Sequence, residues 1–162
     1  MSFIRPLLQI RNNRQHLTTL ARSMATQMTF TFASPAEVLY NKATNVKQVD
    51  VPTLSGSFGI LADHVPTLGV LKPGVVAITE NEGAVKKFFV SSGSVTVNPD
   101  SSVQLLAEEA FALDKLDLKA AQEQIAEAQK QIAAARDDLS KAEGQVALET
   151  AEAVVRAIQT GI

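Results

Sequence analysis

The sequence predicts an all-β sandwich N-terminal domain followed by a C-terminal antiparallel two-helix hairpin. Three observations carry this. Turn-forming residues recur roughly every ten positions between 29 and 111, the spacing of a sandwich or barrel. The stretches between them alternate polar and apolar side chains, or run continuously apolar, and are rich in β-branched residues. From about Lys115 the apolar period changes to steps of three and four and alanine becomes abundant, so the end of the chain follows helical packing rules.

Residues 1–23 stand apart from both parts. They hold Arg5, Arg11, Arg14 and Arg22 with no acid, and the first acid is Glu37. Arginines spread through an acid-free segment containing Ser and Thr match a mitochondrial transit peptide, and Arg22-Ser23 before Met24 is a plausible processing site. Phe3, Leu7, Ile10, Leu17 and Ala21 would share one helical face, interrupted by Arg14. The arginines also break up any apolar core of the kind a secretory signal needs. A disordered basic tail explains the same composition and stays open as the alternative. The segment is set aside from the fold.

The β domain is expected over residues 28–113. Thr29 to Phe32, Ser94 to Asn98 and Val103 to Leu105 alternate as strands with one buried face do. Val75 to Ile78 and Phe88 to Val90 are continuously apolar, the pattern of strands covered on both faces. The turns fall at Ser34-Pro35, Pro52 to Gly56, Lys72-Pro73-Gly74, Asn81-Glu82-Gly83, Ser91-Ser92-Gly93 and Asn98-Pro99-Asp100. The hairpin is expected over 115–160. Leu118, Ala121, Ile125, Ala128, Ile132 and Ala135 form its first seam, with Asp117 placed to cap the helix start. Asp138 is the expected cap of the second helix. Leu139, Ala142, Val146, Ala153, Val154, Ala157 and Ile158 are its expected stripe, and Gly161 its stop. Alanine buries little area, so the hairpin needs support from the β domain or a partner.

Composition excludes several functions. The chain has no cysteine, which removes disulfides, cysteine nucleophiles and thiolate metal sites. No apolar run reaches the roughly 20 residues of a membrane span. The formal charge is −2 overall, and about −6 once the leader is set aside, which disfavours nucleic-acid binding. Of two histidines, His16 lies in the leader and His64 reads as a loop-holding residue. Gly56-Ser57-Phe58-Gly59 lacks the terminal Lys-Ser/Thr of a phosphate loop. No cofactor or catalytic site is expected, and the residues read as a binding or structural protein.

One stretch is distinctive. Gly56 to Leu68 reads G-x-x-G-I-L-x-x-H-x-P-x-L, with Pro73-Gly74 following and Asp50-Val51-Pro52-Thr53 preceding. With Phe88 to Gly93 and Val103 to Ala110 in order behind it, this resembles the delta/epsilon subunit family of the F-type ATP synthases over residues 28–160, and the leader points to the mitochondrial branch. The resemblance implies a non-catalytic central-stalk part, coupling c-ring rotation to ATP synthesis. It implies contacts with the gamma subunit, the mitochondrial epsilon subunit and the c-ring, peripheral to the matrix side of the inner membrane. It also implies that the segment Ser57 to His64 is a ring-facing loop, through Ser57, Phe58, Gly59, Ile60 and His64. Bacterial relatives that bind ATP carry I/L-D-x-x-R-A at the first helix. Leu116-Asp117-Leu118-Lys119-Ala120-Ala121 has Ala120 in the arginine's place, so no fixed guanidinium awaits a phosphate. An unrelated β-sandwich adaptor with a helical arm, or a hydrolase using His64, are the rival readings.

Overall fold

The computed structural model describes residues 27–161, so the leader with its arginines and His16 lies outside the described residues. The strands are β1 (Thr29–Ala33), β2 (Val38–Ala43), β3 (Val46–Thr53), β4 (Gly56–Leu61), β5 (Thr67–Leu71), β6 (Gly74–Glu80), β7 (Val85–Val90), β8 (Gly93–Val97), β9 (Ser102–Ala107) and β10 (Ala110–Ala112). A single 3-10 turn, Leu113–Lys115, leads to α1 (Leu118–Ala134) and α2 (Asp138–Thr160). The β-plus-hairpin class is therefore the one observed.

The strands form one curled sheet in the order β10-β7-β6-β3-β5-β8-β9-β1-β2, with β4 on the other flank of β3. The curl happens on β3. Its first half pairs with β6 as far as Asp50↔Ala77, and its end pairs with β5 at Thr53↔Leu71. Pro52 lies at this handover, where continuous ladder bonding on that flank is interrupted. Gly74 makes room for it, since a Cβ there would come within 3.0 Å of the Pro52 ring. The strand was hidden in the sequence because Asp50 and Pro52 disguise it.

Between the layers lie Phe30, Phe32, Val49, Val51, Ile60, Val76, Ile78, Val95, Val103 and Leu105, all essentially inaccessible. The alternation in β1 is realised: Phe30 and Phe32 point inward, and Phe32 meets Phe88 edge-on at 5.5 Å. Each such side chain contributes about 1.5–3 kcal/mol by leaving water. One polar cluster ties the two layers at their open side. The Tyr40 hydroxyl on β2 donates to Glu80 Oε1 on β6 (3.2 Å), and Lys86 Nζ on β7 lies 2.8 Å from the same oxygen and 5.7 Å over the Tyr40 ring. The bond from Lys86 holds the Glu80 carboxyl below its ordinary range.

In α1 the predicted seam is the buried one, with Ala121 and Ala128 innermost, and Asp117 accepts from the Lys119 amide at 2.8 Å. In α2 one expectation fails and another holds only in its second half. The cap is Asp137, whose Oδ1 accepts from both the amide and the hydroxyl of Ser140 (2.7 Å each), and Asp138 begins the helix. Of the expected stripe Ala157 is buried and Ala153, Val154 and Ile158 are half-buried, while Leu139, Ala142 and Val146 are exposed and Gly144 and Ala151 are buried instead. The reason is steric. Gly144 faces Ile132, and a Cβ on it would lie 2.8 Å from Ile132 Cγ1, so the small residue, not the larger Val146, marks the closest approach.

The end of α2 packs against β6. Phe89 on β7 is buried even though its neighbour Phe88 takes the core side, so β7 is covered on both faces as its apolar run predicted. Gly161 ends α2 in a left-handed turn (φ 67°), and Lys87 Nζ donates to its carbonyl at 3.0 Å. A cation at a helix C-terminus complements the backbone dipole.

Candidate functional site: two surfaces of the sandwich

The segment Ser57 to His64 is not a loop. Residues 56–61 form β4, paired residue for residue with β3 from Thr53↔Gly56 to Gln48↔Leu61, and only residues 62–66 turn. The resemblance implies a loop here, and Gly56 and Gly59 are turn-type residues, yet both sit in the hairpin strand. Of the five residues expected to face a partner, Ile60 is in the core and unavailable. Ser57 and Gly59 are exposed on the strand, Phe58 is half-buried, and His64 is half-buried beside it. The His64 ring stacks on Phe58 (centroids 5.7 Å apart, 22° between planes), and its Nδ1 donates to the Val65 carbonyl at 2.8 Å. His64 therefore shapes the turn, as expected of a loop-holding histidine.

Under this turn lie two residues with left-handed backbone, Asp63 (φ 64°) and Ser101 (φ 61°). The Asp63 amide reaches Ser101 Oγ at 3.4 Å, and the Ser101 carbonyl accepts from the Thr29 amide at 3.1 Å. The β4–β5 turn is thus tied to the β8–β9 turn and to the start of β1. This end of the sandwich is stiff.

The second surface is the outer face of the β5-β8-β9-β1-β2 layer. Its register aligns Val70, Ser94, Leu106, Ala33 and Val38 in one row across five strands. Leu68 and Leu54 adjoin that row. Leu68 is 76 % exposed, Leu54 73 %, and Val38, Val70 and Leu106 all exceed one half. A clue was present in Thr67 to Leu71, where apolar side chains occupy both faces of a single strand. Among the described residues α2 packs on the opposite layer at β6, and near this face only its Val146, Glu149 and Thr150 approach, sharing a cleft with Leu54.

Chemically equipped sites are scarce. Among the described residues no group of three or more His, Asp or Glu side chains converges as a metal site. A shallow cleft between the helices is lined by Leu116, Asp117, Ala120, Ala121, Gln124, Ala147, Thr150, Ala151 and Val154. Neither lysine nor arginine is among them, and the Asp117 carboxylate is occupied as a helix cap.

A family model described as "ATP synthase, Delta/Epsilon chain, beta-sandwich domain" matches residues 27–112, which is the whole stretch from before β1 to the end of β10. The chain belongs to the ATP synthase delta/epsilon family. Its similarity to other delta/epsilon chains extends past the sandwich. It is 48 % identical over 131 residues to the "ATP synthase subunit delta, mitochondrial" of Caenorhabditis elegans, covering 81 % of this chain and 79 % of that one. To the subunit of the same name in Neurospora crassa it is 37 % identical over 134 residues, covering 83 % and 81 %. Among solved structures, it superposes on a chain of the Euglena gracilis mitochondrial ATP synthase, in an OSCP/F1/c-ring assembly, with TM-score 0.75 and 25 % identity over 83 % of this chain and 82 % of that one. A chain from the central stalk and c-ring of the Tetrahymena thermophila enzyme shares the fold at TM-score 0.68 and 18 % identity, covering 82 % and 97 %. The delta/epsilon fold therefore includes the hairpin as well as the sandwich.

Proposed function

We propose that this chain is a non-catalytic central-stalk (rotor) subunit of the mitochondrial proton-transporting ATP synthase, coupling c-ring rotation to ATP synthesis. The observation that carries the reading is the apolar row Val70, Leu106 and Val38 with Leu68 and Leu54, left uncovered on an otherwise well-packed sandwich. An exposed patch of this kind on a small domain marks a protein interface. We assign it to the gamma subunit. Ser57, Phe58 and Gly59 along β4, with His64 at its stiff end, face the c-ring, and the mitochondrial epsilon subunit completes the set of partners. Ile60 has no part in the contact, since it is buried.

The division of labour follows from the residues. Residues 1–23 act as the transit peptide, 28–113 as the gripping sandwich and 115–160 as the supporting hairpin. No helix among the described residues is long and apolar enough to cross a membrane, which agrees with a peripheral place on the matrix side. No nucleotide site belongs to this reading, because Ala120 supplies no cation to the inter-helix cleft. Torque transmission asks for stiffness and broad packed contact, not reactive groups. The tied turns at Asp63 and Ser101 and the Tyr40–Glu80–Lys86 cluster supply that stiffness.

The test is replacement of the subunit by a Leu68→Asp, Leu106→Lys variant in mitochondria, with ATP synthesis measured against proton leak. Coupling should fall while the variant stays folded. Unchanged coupling with normal assembly would sink the reading.

A further inference from the structure

We propose that the free edge of β4 is a strand-docking site, occupied by an extended segment of another protein that carries a lysine or arginine opposite Gly59. The inference rests on the stalk reading for its setting but adds a site and a recognition chemistry to it.

Free strand edges present unpaired N–H and C=O groups, and folded proteins ordinarily blunt them. Other edges here are blunted. β2 suffers two register shifts against β1 and carries Lys42 in a left-handed conformation (φ 49°). β10 is only three residues long. By contrast, β4 pairs with β3 over six consecutive positions with no shift, and Gly-Ser-Phe-Gly-Ile-Leu contains neither charge nor proline. It is the regular, neutral edge that pairing requires.

Asp50 points to the occupant. It lies directly across from Gly59, and a Cβ on Gly59 would stand 2.7 Å from its Oδ1, so the carboxylate leans over the glycine towards the open edge. Among the described residues its one hydrogen-bond partner is the Gln48 amide at 2.7 Å, and no lysine or arginine there makes an ion pair with it. An added strand would lie about 4.8 Å beyond β4. A long cationic side chain on that strand, on the face shared with Asp50, reaches the carboxylate because Gly59 places nothing in between. A second copy of this chain does not fit. β4 brings no cation, and edge-to-edge pairing would set two Asp50 carboxylates near each other.

Hydrogen exchange tests this on the isolated chain and on the same chain within the purified ATP synthase. The outward-pointing amides between Ser57 and Leu61 should exchange at least about tenfold more slowly in the complex. Asp50→Lys should remove that protection and compete at least about tenfold worse for incorporation, while Asp50→Glu restores both. Asp50→Asn provides the same comparison should the charge reversal fail to fold. A chain that enters the complex with β4 unprotected overturns this proposal and leaves the stalk reading standing. A chain that stays out of the complex overturns both. A concentration-dependent dimer of the isolated chain with β4 protected would also overturn it.

Discussion

Gly93 begins β8 at φ 149°, and a Cβ there would meet the Leu106 carbonyl oxygen at 2.0 Å. Backbone cannot retreat as a flexible side chain can, so Gly93→Ala is expected to cost about 3 kcal/mol or more, read from the urea unfolding midpoint. Glu80 offers a second test at this scale. Its carboxyl is held below the ordinary value of 4.5 by Lys86, so the unfolded chain binds the proton more readily than the folded one. The contribution is complete above that value and is lost as pH falls through the folded value. Stability should therefore decline as pH falls below the ordinary carboxyl value and through the lower folded one, and Glu80→Gln should flatten that decline. Lys86 is held above its ordinary 10.5, chiefly by the bond to Glu80, so the same cluster loosens again as pH rises through the folded lysine value.

At the scale of elements, the hairpin tests how far small residues decide geometry. Gly144→Leu gains helix propensity of about 0.8 kcal/mol, but it drives a side chain into Ile132, whose backbone nitrogen is 3.3 Å from the added Cβ. Overpacking costs about 1–3 kcal/mol, so the net change is destabilising and should appear as faster amide exchange confined to α1 and α2. Asp137→Ala should reduce helical circular dichroism more than Asp138→Ala, because Asp137 alone holds Ser140. These are the elements where the sequence misled. Leu118 to Ile132 in α1 was legible because its seam is both apolar and buried. In α2 a glycine carries the contact, and a hydrophobicity pattern has no means of scoring a residue chosen for its absence of side chain. β3 and β4 escaped for a related reason: Pro52, Gly56 and Gly59 signal turns locally, while cross-strand pairing holds them extended. The strands that alternate cleanly, such as Phe30 and Phe32 in β1, were readable because one face meets the core.

At the scale of the whole molecule, two layers, a docked hairpin and one bare apolar face make an asymmetric object. Leu68→Asp with Leu106→Lys should leave the unfolding free energy within about 0.5 kcal/mol, since neither side chain touches the core. The same pair should lower self-association of the isolated chain, measurable by sedimentation, because the patch is then interrupted by charge. The residues proposed to face the ring were legible only as a motif, and the apolar face only as a hint in Thr67 to Leu71. Its members come from β2, β5, β9 and the β3–β4 turn, and only the sheet register brings them together.

The parallel pairing of β1 with β9 joins Phe30 to Val103 and Phe32 to Leu105. The first described strand thus sits inside its layer, between the ninth strand and the second. During synthesis, or while threading through a membrane pore amino end first, Phe30 and Phe32 have only β2 to pair with until Ala107 has come through. Closing this layer waits for the ninth strand, and until then the β1–β2 hairpin leaves the other edge of β1 open.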